Sequence, residues 1–443
     1  MKKFTAVLRR AAVFAAAVLA LWAALVASAA IPNEKIYDNM LASALYFKDK
    51  EPFPHNSQMR LVQDNYADAI LLNVAWNMGV GEPFSAALDT AYYDGNDGTN
   101  DYGENWGFYC AVEGTAAPNT DYSRYWHGMA AVIRPLMLFT DVGGIKLIGT
   151  ISAFVLLAVN AALLLKKRQF FAAGALVAAF LCVHVWNIGI SLEYQPAVLI
   201  TLLLLPIYII LERNDGALSI LSVISGVMIA FFDFLTCETL TILVPLIVVF
   251  IMRKQENRLP ALKDSVLLSV KCGAAWLLSY AGTFLVKWTA ASLVTGENKF
   301  VTALASIEER FVGEAEELSP VAQFFLAPAA NISTLFGGTD RVEWGVIAAG
   351  LVISALILGA VFYLFRSREK FDRSFTLIML ILGALPFVRF FLLNNHSYLH
   401  EFFTYRALAS SILAVFAGLW YSLEFRTKKK KSSAKGGKKR GRN

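Results

Sequence analysis

Apolar runs long enough to cross a bilayer recur along this chain, and that recurrence limits what it can fold into. A crossing helix needs about 20 mostly apolar residues, because the hydrocarbon layer is ~30 Å thick and each helical residue rises ~1.5 Å. Candidate spans are 11–30, 145–165, 170–187, 191–211, 217–232, 238–252, 265–288, 343–365, 374–393 and 404–424. Two of them, 217–232 and 238–252, are short, and tilt, a break or a membrane-level turn between them are the alternatives. Hydrophobic residues make up 57% of the 443 positions, and mean hydropathy is +0.52. Both values exclude an ordinary soluble globule. The expected fold is an all-α polytopic membrane protein with about ten transmembrane helices and a large extracytoplasmic first loop that bears interfacial helices.

The links between runs carry unlike charge. Lys2, Lys3, Arg9 and Arg10 precede the first run. Lys166, Lys167 and Arg168, then Arg213, then Arg253, Lys254 and Arg258, then Arg366, Arg368, Lys370 and Arg373 occupy alternate links. Arg426 and the tail KKKKSSAKGGKKRGRN follow the last run. Basic residues resist translocation, so these links are expected on the cytoplasmic side of the inner membrane, with both termini inside and an even number of spans. KKFTAVLRR with an apolar run and ASAA before Ile31 also has the form of a signal peptide. A retained first span is favoured by the length of its apolar run. The net charge of +6 is thus mostly a topology signal. The tail lacks apolar residues to pack and is expected to be disordered, close to anionic membrane lipid, with no nucleic-acid partner.

This divides the chain into a first span (1–30), an extracytoplasmic loop (31–144), a bundle (145–288), a second outer loop (289–342), C-terminal spans (343–425) and a basic tail (426–443). Both outer loops are acidic and too long for hairpins, so each is expected to fold on the membrane surface. The four cysteines form neither a disulfide framework nor a metal spacing. No internal repeat is visible, which weighs against transporters built from duplicated halves.

The ionic and histidine residues near apolar segments fall on the side opposite the basic links. In the first loop, Ile36, Met40, Leu41, Ala44 and Leu45 form a helical stripe with Asp38 off it. MRLVQDNYADAILLNVAWNMG is a strong helical segment that ends at Gly79. Asp64 and Asp68 lie four apart in it and are expected to share a face. They repel each other unless a cation, a basic group or a shared proton offsets the charge. A catalytic pair, a divalent cation clamp, a solvated face and an N-cap at Asp64 are the alternatives. The segment YYDGNDGTNDYGENWGFY reads as tight turns between short strands, and no frame in it fits a calcium loop. Arg124 and His127 share a helical spacing where the loop returns to the membrane. Arg134, in an apolar stretch, needs a partner: a lipid phosphate or an acid of the protein.

Further acids and bases lie at other outer ends. Glu193 opens the fourth span, and Asp233 and Glu238 flank FLTC. LPFVRFFLLNNHSYLHEFFTYRAL gathers Arg389, His396, His400 and Arg406. Zinc at His396 and His400 lacks an evident third ligand, whereas phosphate or sugar hydroxyls suit histidine, asparagine and arginine together. No metal site is assigned, and a divalent cation is left open. Asn331-Ile332-Ser333 matches a glycosylation sequon.

Many spans and a large acidic first outer loop after the first of them, with Asp38, Asp64 and Asp68, resemble the GT-C class of membrane glycosyltransferases. The Asp-Glu pair that some members carry soon after the first span is absent; Asn33-Glu34 with Asp38 is the nearest stretch. LVQDNYADAILLN, YSRYWHG, FFDFLTCETLT and NNHSYLHEFFTYRAL also resemble bacterial multi-span membrane proteins, a likeness that names no activity. The GT-C resemblance implies a polyprenyl-phosphate-linked sugar as donor and a cell-envelope glycan, lipid or protein as acceptor. It implies a lipid tail between spans, a phosphate held by Arg134, Arg389 or Arg406, and Asp64 or Asp68 as base. Arg124, His127, Glu193, Asp233, His396 and His400 are the other expected substrate contacts. A lipid or glycan flippase, a transporter, and a non-enzymatic envelope assembly protein are the competing readings.

Overall fold

A computed structural model describes residues 2–56, 61–96, 98, 100–312, 318–367 and 372–425. The basic tail, Arg368, Lys370 and the middle of the acidic EERFVGEAEEL stretch lie outside the described residues. In chain order the helices are α1 (Lys2–Ala29), α2 (Tyr37–Phe47), α3 (Asn65–Asn77), α4 (Pro83–Ala86), α5 (Glu104–Glu113), α6 (Ala130–Leu136) and α7 (Val142–Lys166). Next come α8 (Phe170–Cys182), α9 (Pro196–Ile210), α10 (Asp215–Phe232), α11 (Leu240–Gln255), α12 (Leu262–Thr295) and α13 (Lys299–Val312). The chain continues with α14 (Pro320–Leu335), α15 (Trp344–Leu364), α16 (Arg373–Leu392), α17 (Asn394–Leu399), α18 (Glu401–Thr404) and α19 (Leu408–Ser422). Strands are confined to three short antiparallel pairs, among them Ala91–Tyr92 with Thr120–Asp121 in the outer loop. The turn-rich stretch therefore holds one short strand and helix α5, not a series of strands.

Among the described residues seven helices are long and apolar enough to cross a membrane: Thr5–Ala29, α7, α10, α12, α15, α16 and Glu401–Ser422. The other three of the ten expected spans, at α8, α9 and α11, are helices of only 13, 15 and 16 residues. At ~1.5 Å per residue each falls short of a ~30 Å hydrocarbon layer. Helices α8 and α9 expose Phe170, Leu181, Leu203, Ile207 and Ile210, whereas α11 is enclosed by protein. Every residue of α11 from Leu240 to Arg253 is buried. Polar links complete these short helices. After α8 the chain turns at His184 (φ 54°) into a 3-10 turn, Val185–Ile190, before α9 starts at Pro196. Irregular backbone at such depth is tolerated where protein satisfies its polar groups. Here Tyr405 Oη donates to Val183 O (3.2 Å), while Ser191 and Leu192 are bonded by Asp68.

Helix α12 corrects the sequence reading in the other direction. Its apolar segment was placed at 265–288, but the helix continues to Thr295, where Gly296 (φ 74°) ends it. Its outer third carries the first outer loop. Trp126 Nε1 donates to Thr283 O (2.8 Å), Trp288 Nε1 to Arg124 O (2.9 Å), and Lys287 Nζ to Ala87 O and Leu88 O (3.2 and 2.8 Å). One buried cluster joins the loop's Met40, Phe47, Trp76 and Trp126 to Leu25 of α1, Ile145 of α7 and Phe231 of α10.

The links expected to be cytoplasmic meet at one end of the bundle. Buried Glu212 pairs with Arg213, Arg253 and Arg258 (3.1, 3.8 and 2.9 Å). Lys254 pairs with Asp372, and Gln255 Nε2 donates to Arg168 O (2.7 Å). At the same end, Phe365–Ser367 after α15 pairs with Leu423–Phe425 after α19.

Among the described residues the partners of Arg134 are carbonyl oxygens and not the acid that the sequence reading offered. Its guanidinium donates to Ser28 O (2.9 Å), Asn33 Oδ1 (3.0 Å), Ala75 O (2.6 Å) and Ile31 O. These carbonyls sit at the C-terminal ends of α1 and α3, where helix dipoles favour a cation. Gly79 packs against the clamp: a Cβ there would lie 2.0 Å from Asn33 Oδ1 and 2.4 Å from Arg134 Nη2. Gly79→Ala is therefore expected to destabilise the protein by about 1–3 kcal/mol, read as a lower melting temperature in detergent. An unchanged melting temperature would show that the clamp yields.

Candidate functional site

Asp64 and Asp68 come from one segment but do different things. Asp64 is the N-cap of α3, its Oδ1 accepting from Ala67 N (2.7 Å). Asp68 is fully buried and bound on three sides: Lys146 Nζ of α7 at 2.6 Å, Ser191 Oγ at 2.7 Å and Leu192 N at 2.7 Å. It staples the outer loop to α7 and to the link before α9. Asp38 is exposed in the first turn of α2 and shares none of these contacts.

The second carboxylate beside Asp64 is Glu193, not Asp68. The Asp64 and Glu193 carboxyls are both buried and close enough for the charge of each to act on the other. Burial pushes the Asp64 carboxyl up to about 7, with the Asp68 charge acting the same way and the Ala67 N–H opposing. Burial and the charges of Asp64, Asp233 and Asp68 hold Glu193 well above the ordinary carboxylate range. Glu193 Oε2 is buried with no hydrogen-bond partner among the described residues. Asp233 ends α10 and accepts from Thr236 N (2.9 Å) and Thr236 Oγ1 (2.5 Å). Burial raises it to about 7, and Glu238 adds to the rise.

Arginines and histidines close the cluster. Arg389 Nε and Nη2 face Glu238 Oε1 and Oε2 at 3.0 and 3.2 Å, a forked pair. Arg389 also donates to Ser397 Oγ (2.9 Å) and Leu235 O (2.5 Å). His396 Nε2 lies 2.9 Å from the same Leu235 O, its ring 4.7 Å from that of His400. His400 stacks on Phe403. Arg406 is 1% exposed, lies over the Tyr194 ring (4.5 Å) and bonds Phe402 O (3.3 Å). Its Nε and Nη2 are unpartnered among the described residues. Among those residues no three histidine, cysteine or acid side chains are grouped to hold a metal ion. Asn331, the sequon residue, is fully buried, its Nδ2 donating to Ala327 O and Ser397 O (both 2.8 Å).

Arg124 and His127 lie on the opposite side of Leu235. His127 Nε2 is 2.9 Å from Tyr122 O, and the ring sits among Tyr122, Tyr125 and Phe234. Burial lowers its pKa to about 3, so it is neutral. Arg124 lies over Tyr122 (4.3 Å) and Tyr125 (5.3 Å).

From this mouth a cavity of about 910 Å³ runs between α11, α12 and α16. Its walls are apolar, and Arg124, Arg310, Glu238 and Arg389 are the charged residues that line it. Leu277 and Leu285 of α12 and Leu385 and Val388 of α16 line it and are also exposed, so it opens sideways where a bilayer would lie. Arg310, on the outer helix α13, was not foreseen from the sequence. It reads there as part of a charged surface stretch, and nothing local signals that α13 covers a cavity. Lys146 was equally hidden, a lone lysine at the head of an apolar run.

The structure thus brings Asp64, Glu193, Asp233, Arg389, His396 and Arg406 into one polar region, seats Arg124 and His127 beside the cavity, and leaves Asp38 and Arg134 outside. Comparison with protein-family models, curated proteins and solved structures found no match for this chain.

The acid pair sets a pH dependence. A carboxyl raised from 3.8 to about 7 keeps its proton in the folded state while the unfolded chain loses it. Stability is therefore highest in acid and falls as pH rises through that window. The melting temperature is expected to fall between about pH 4 and pH 7. Asp64→Asn, which keeps the cap and needs no proton, should shrink the fall. An equal fall in the variant would place the proton elsewhere.

Proposed function

We propose that this chain is a membrane glycosyltransferase that moves a sugar from a polyprenyl-phosphate donor to a cell-envelope acceptor at the extracytoplasmic face. The observation that carries this reading is the meeting of a buried cluster of acids with the charged mouth of an apolar groove that opens sideways. Transfer of this kind needs an apolar seat for a lipid, cations for a departing phosphate and a base for a hydroxyl. In the reaction the bond from the anomeric carbon to phosphate oxygen breaks. The acceptor oxygen bonds that carbon, its proton passes to the Asp64–Glu193 pair, and the polyprenyl phosphate leaves with the negative charge. Asp68 is assigned to structure, because its oxygens are occupied by Lys146, Ser191 and Leu192.

A lipid flippase is the second reading, favoured by how deep the groove runs along α12. Turnover separates the two. Purified protein given a panel of polyprenyl-phosphate sugars with envelope acceptors is expected to release polyprenyl phosphate. Asp64→Asn should fold and lose about 10²–10⁴ of the rate. Asp68→Asn should lose about 3–5 kcal/mol of stability, because it strands Lys146. Folded wild type that turns over none of the donors would remove the transferase reading.

A further inference from the structure

Helix α15 stands apart from the rest of the bundle. Ile347 and Gly350 are its only buried residues, and from Leu351 to Leu364 none is buried. It is held at its two ends. At the outer end the Phe336 ring packs so closely on Gly350 that a Cβ there would run into it, and Glu343 N donates to Ser333 Oγ (3.0 Å). At the other end Phe365–Ser367 pairs with Leu423–Phe425. Between the two ties lies a crevice of about 780 Å³, lined by residues of α14, α15, α16 and α19.

The walls suit a hydrocarbon chain. Among the described residues no charged side chain lines the crevice. Its hydroxyls already have partners: Ser411 Oγ donates to Gly383 O (2.7 Å), and Thr376 Oγ1 meets Ser422 Oγ (3.2 Å). A polar ligand finds no unsatisfied group here, and an empty apolar space of this size forfeits contacts on every wall. Length then decides among apolar occupants. On α16 the lining runs from Thr376 to Phe387, and on α19 from Leu408 to Ser422. At ~1.5 Å per residue these are roughly 17 and 21 Å. A partner's crossing helix is ~30 Å long and ~10 Å across, so it cannot lie in a slot that this chain closes at both ends. An acyl chain is flexible and spans one leaflet, ~15 Å, so it can. Thr376 lies within a turn of the start of α16, at the end where Lys254 pairs with Asp372. The crevice therefore covers the leaflet on the side of the basic links.

We propose that this crevice is the seat of a resident phospholipid from that leaflet, one acyl chain of which fills the space between α15 and the α16–α19 pair. The chain enters sideways and takes the place of the protein contacts that α15 lacks from Leu351 to Leu364. The crevice shares no lining residue with the groove between α11, α12 and α16, and the two use different faces of α16. The proposal is independent of the transferase reading.

The test is photolabelling of the full-length protein in vesicles of phosphatidylethanolamine and phosphatidylglycerol. The probe is a phosphatidylethanolamine with a diazirine in its acyl chain, and adducts are mapped by mass spectrometry. Adducts are expected on Ile412 and Leu419, half-buried residues of the lining. Gly418 also lines the crevice, and a Cβ there meets nothing within 4 Å. Gly418→Phe should fold, fill the space and cut those adducts several-fold. It should leave unchanged the adducts on Leu356 and Ile357, exposed residues of α15 outside the lining. Gly359→Phe, equally open but also outside the lining, should change neither set. Equal labelling of Ile412 and Leu419 in wild type and Gly418→Phe would overturn the proposal, and so would wild-type labelling confined to Leu356 and Ile357. Native mass spectrometry of the wild type alone gives a second check. A phospholipid should stay bound after washing has removed the rest. Its loss with the rest would overturn the resident lipid, and a doubled mass without lipid would give the crevice to a second copy of the chain.

Discussion

The Asp68 carboxylate ties together three pieces of backbone that lie far apart in sequence. It takes the Lys146 ammonium from the start of α7 and two donors from the Ser191–Leu192 link. A buried ion pair contributes little net stability against a well-packed apolar substitute, because both charges must leave water. Its value here is positional. With Asp68 fixed, α3 has one seat, Asp64 caps it, and Glu193 is delivered beside Asp64 by the link that Asp68 binds. The acid pair is thus positioned by an ion pair whose charges also act on Asp64, the Asp68 carboxylate raising its pKa and the Lys146 ammonium lowering it.

A second dependence runs through α12. The same helix walls the groove with its inner two-thirds and supports the outer loop with its last turns. Arg124 reaches the groove mouth because Trp288 holds the Arg124 carbonyl and Trp126 holds Thr283. Arg310 returns to the same mouth on α13, which follows α12 after the break at Gly296. Arg124 is thus held to α12 through its own carbonyl, and Arg310 reaches the same place from the next helix by bonding Tyr125.

Much of the fold was legible in the sequence, for identifiable reasons. Hydropathy located helices at each of the ten apolar runs, because burying apolar residues in lipid and in protein selects the same residues. For that reason it could not tell α11, walled in by other helices, from a helix that crosses a bilayer. The basic links were read as one set, and the ion pairs around Glu212 gather them at one end. Sidedness was read from charge alone. The candidate site was legible in part. Asp64, Glu193, Asp233, Arg389 and Arg406 stood out as ionic groups in apolar surroundings. Their pairing was not legible, since it depends on contacts between segments more than a hundred residues apart. Arg134 was misread because backbone carbonyls leave no trace in sequence. Of the alternatives that the Asp64 and Asp68 spacing left open, the structure selects the N-cap for Asp64, because the helix begins after it.

The unequal lengths of neighbouring helices give the outer face relief. From a short inner link, α11 rises for 16 residues and α12 for 34, and Trp276 Nε1 meets Thr241 Oγ1 (2.9 Å) at matching heights. Counting at ~1.5 Å per residue, α12 overtops α11 by roughly 27 Å. The acids at the end of α10 and before α11, Asp233 and Glu238, therefore lie far below the C-terminal end of α12, and both are buried there. The last turns of α12 thus stand clear of its shorter neighbour, and that free length is what the segment from Ala87 to Trp126 packs against.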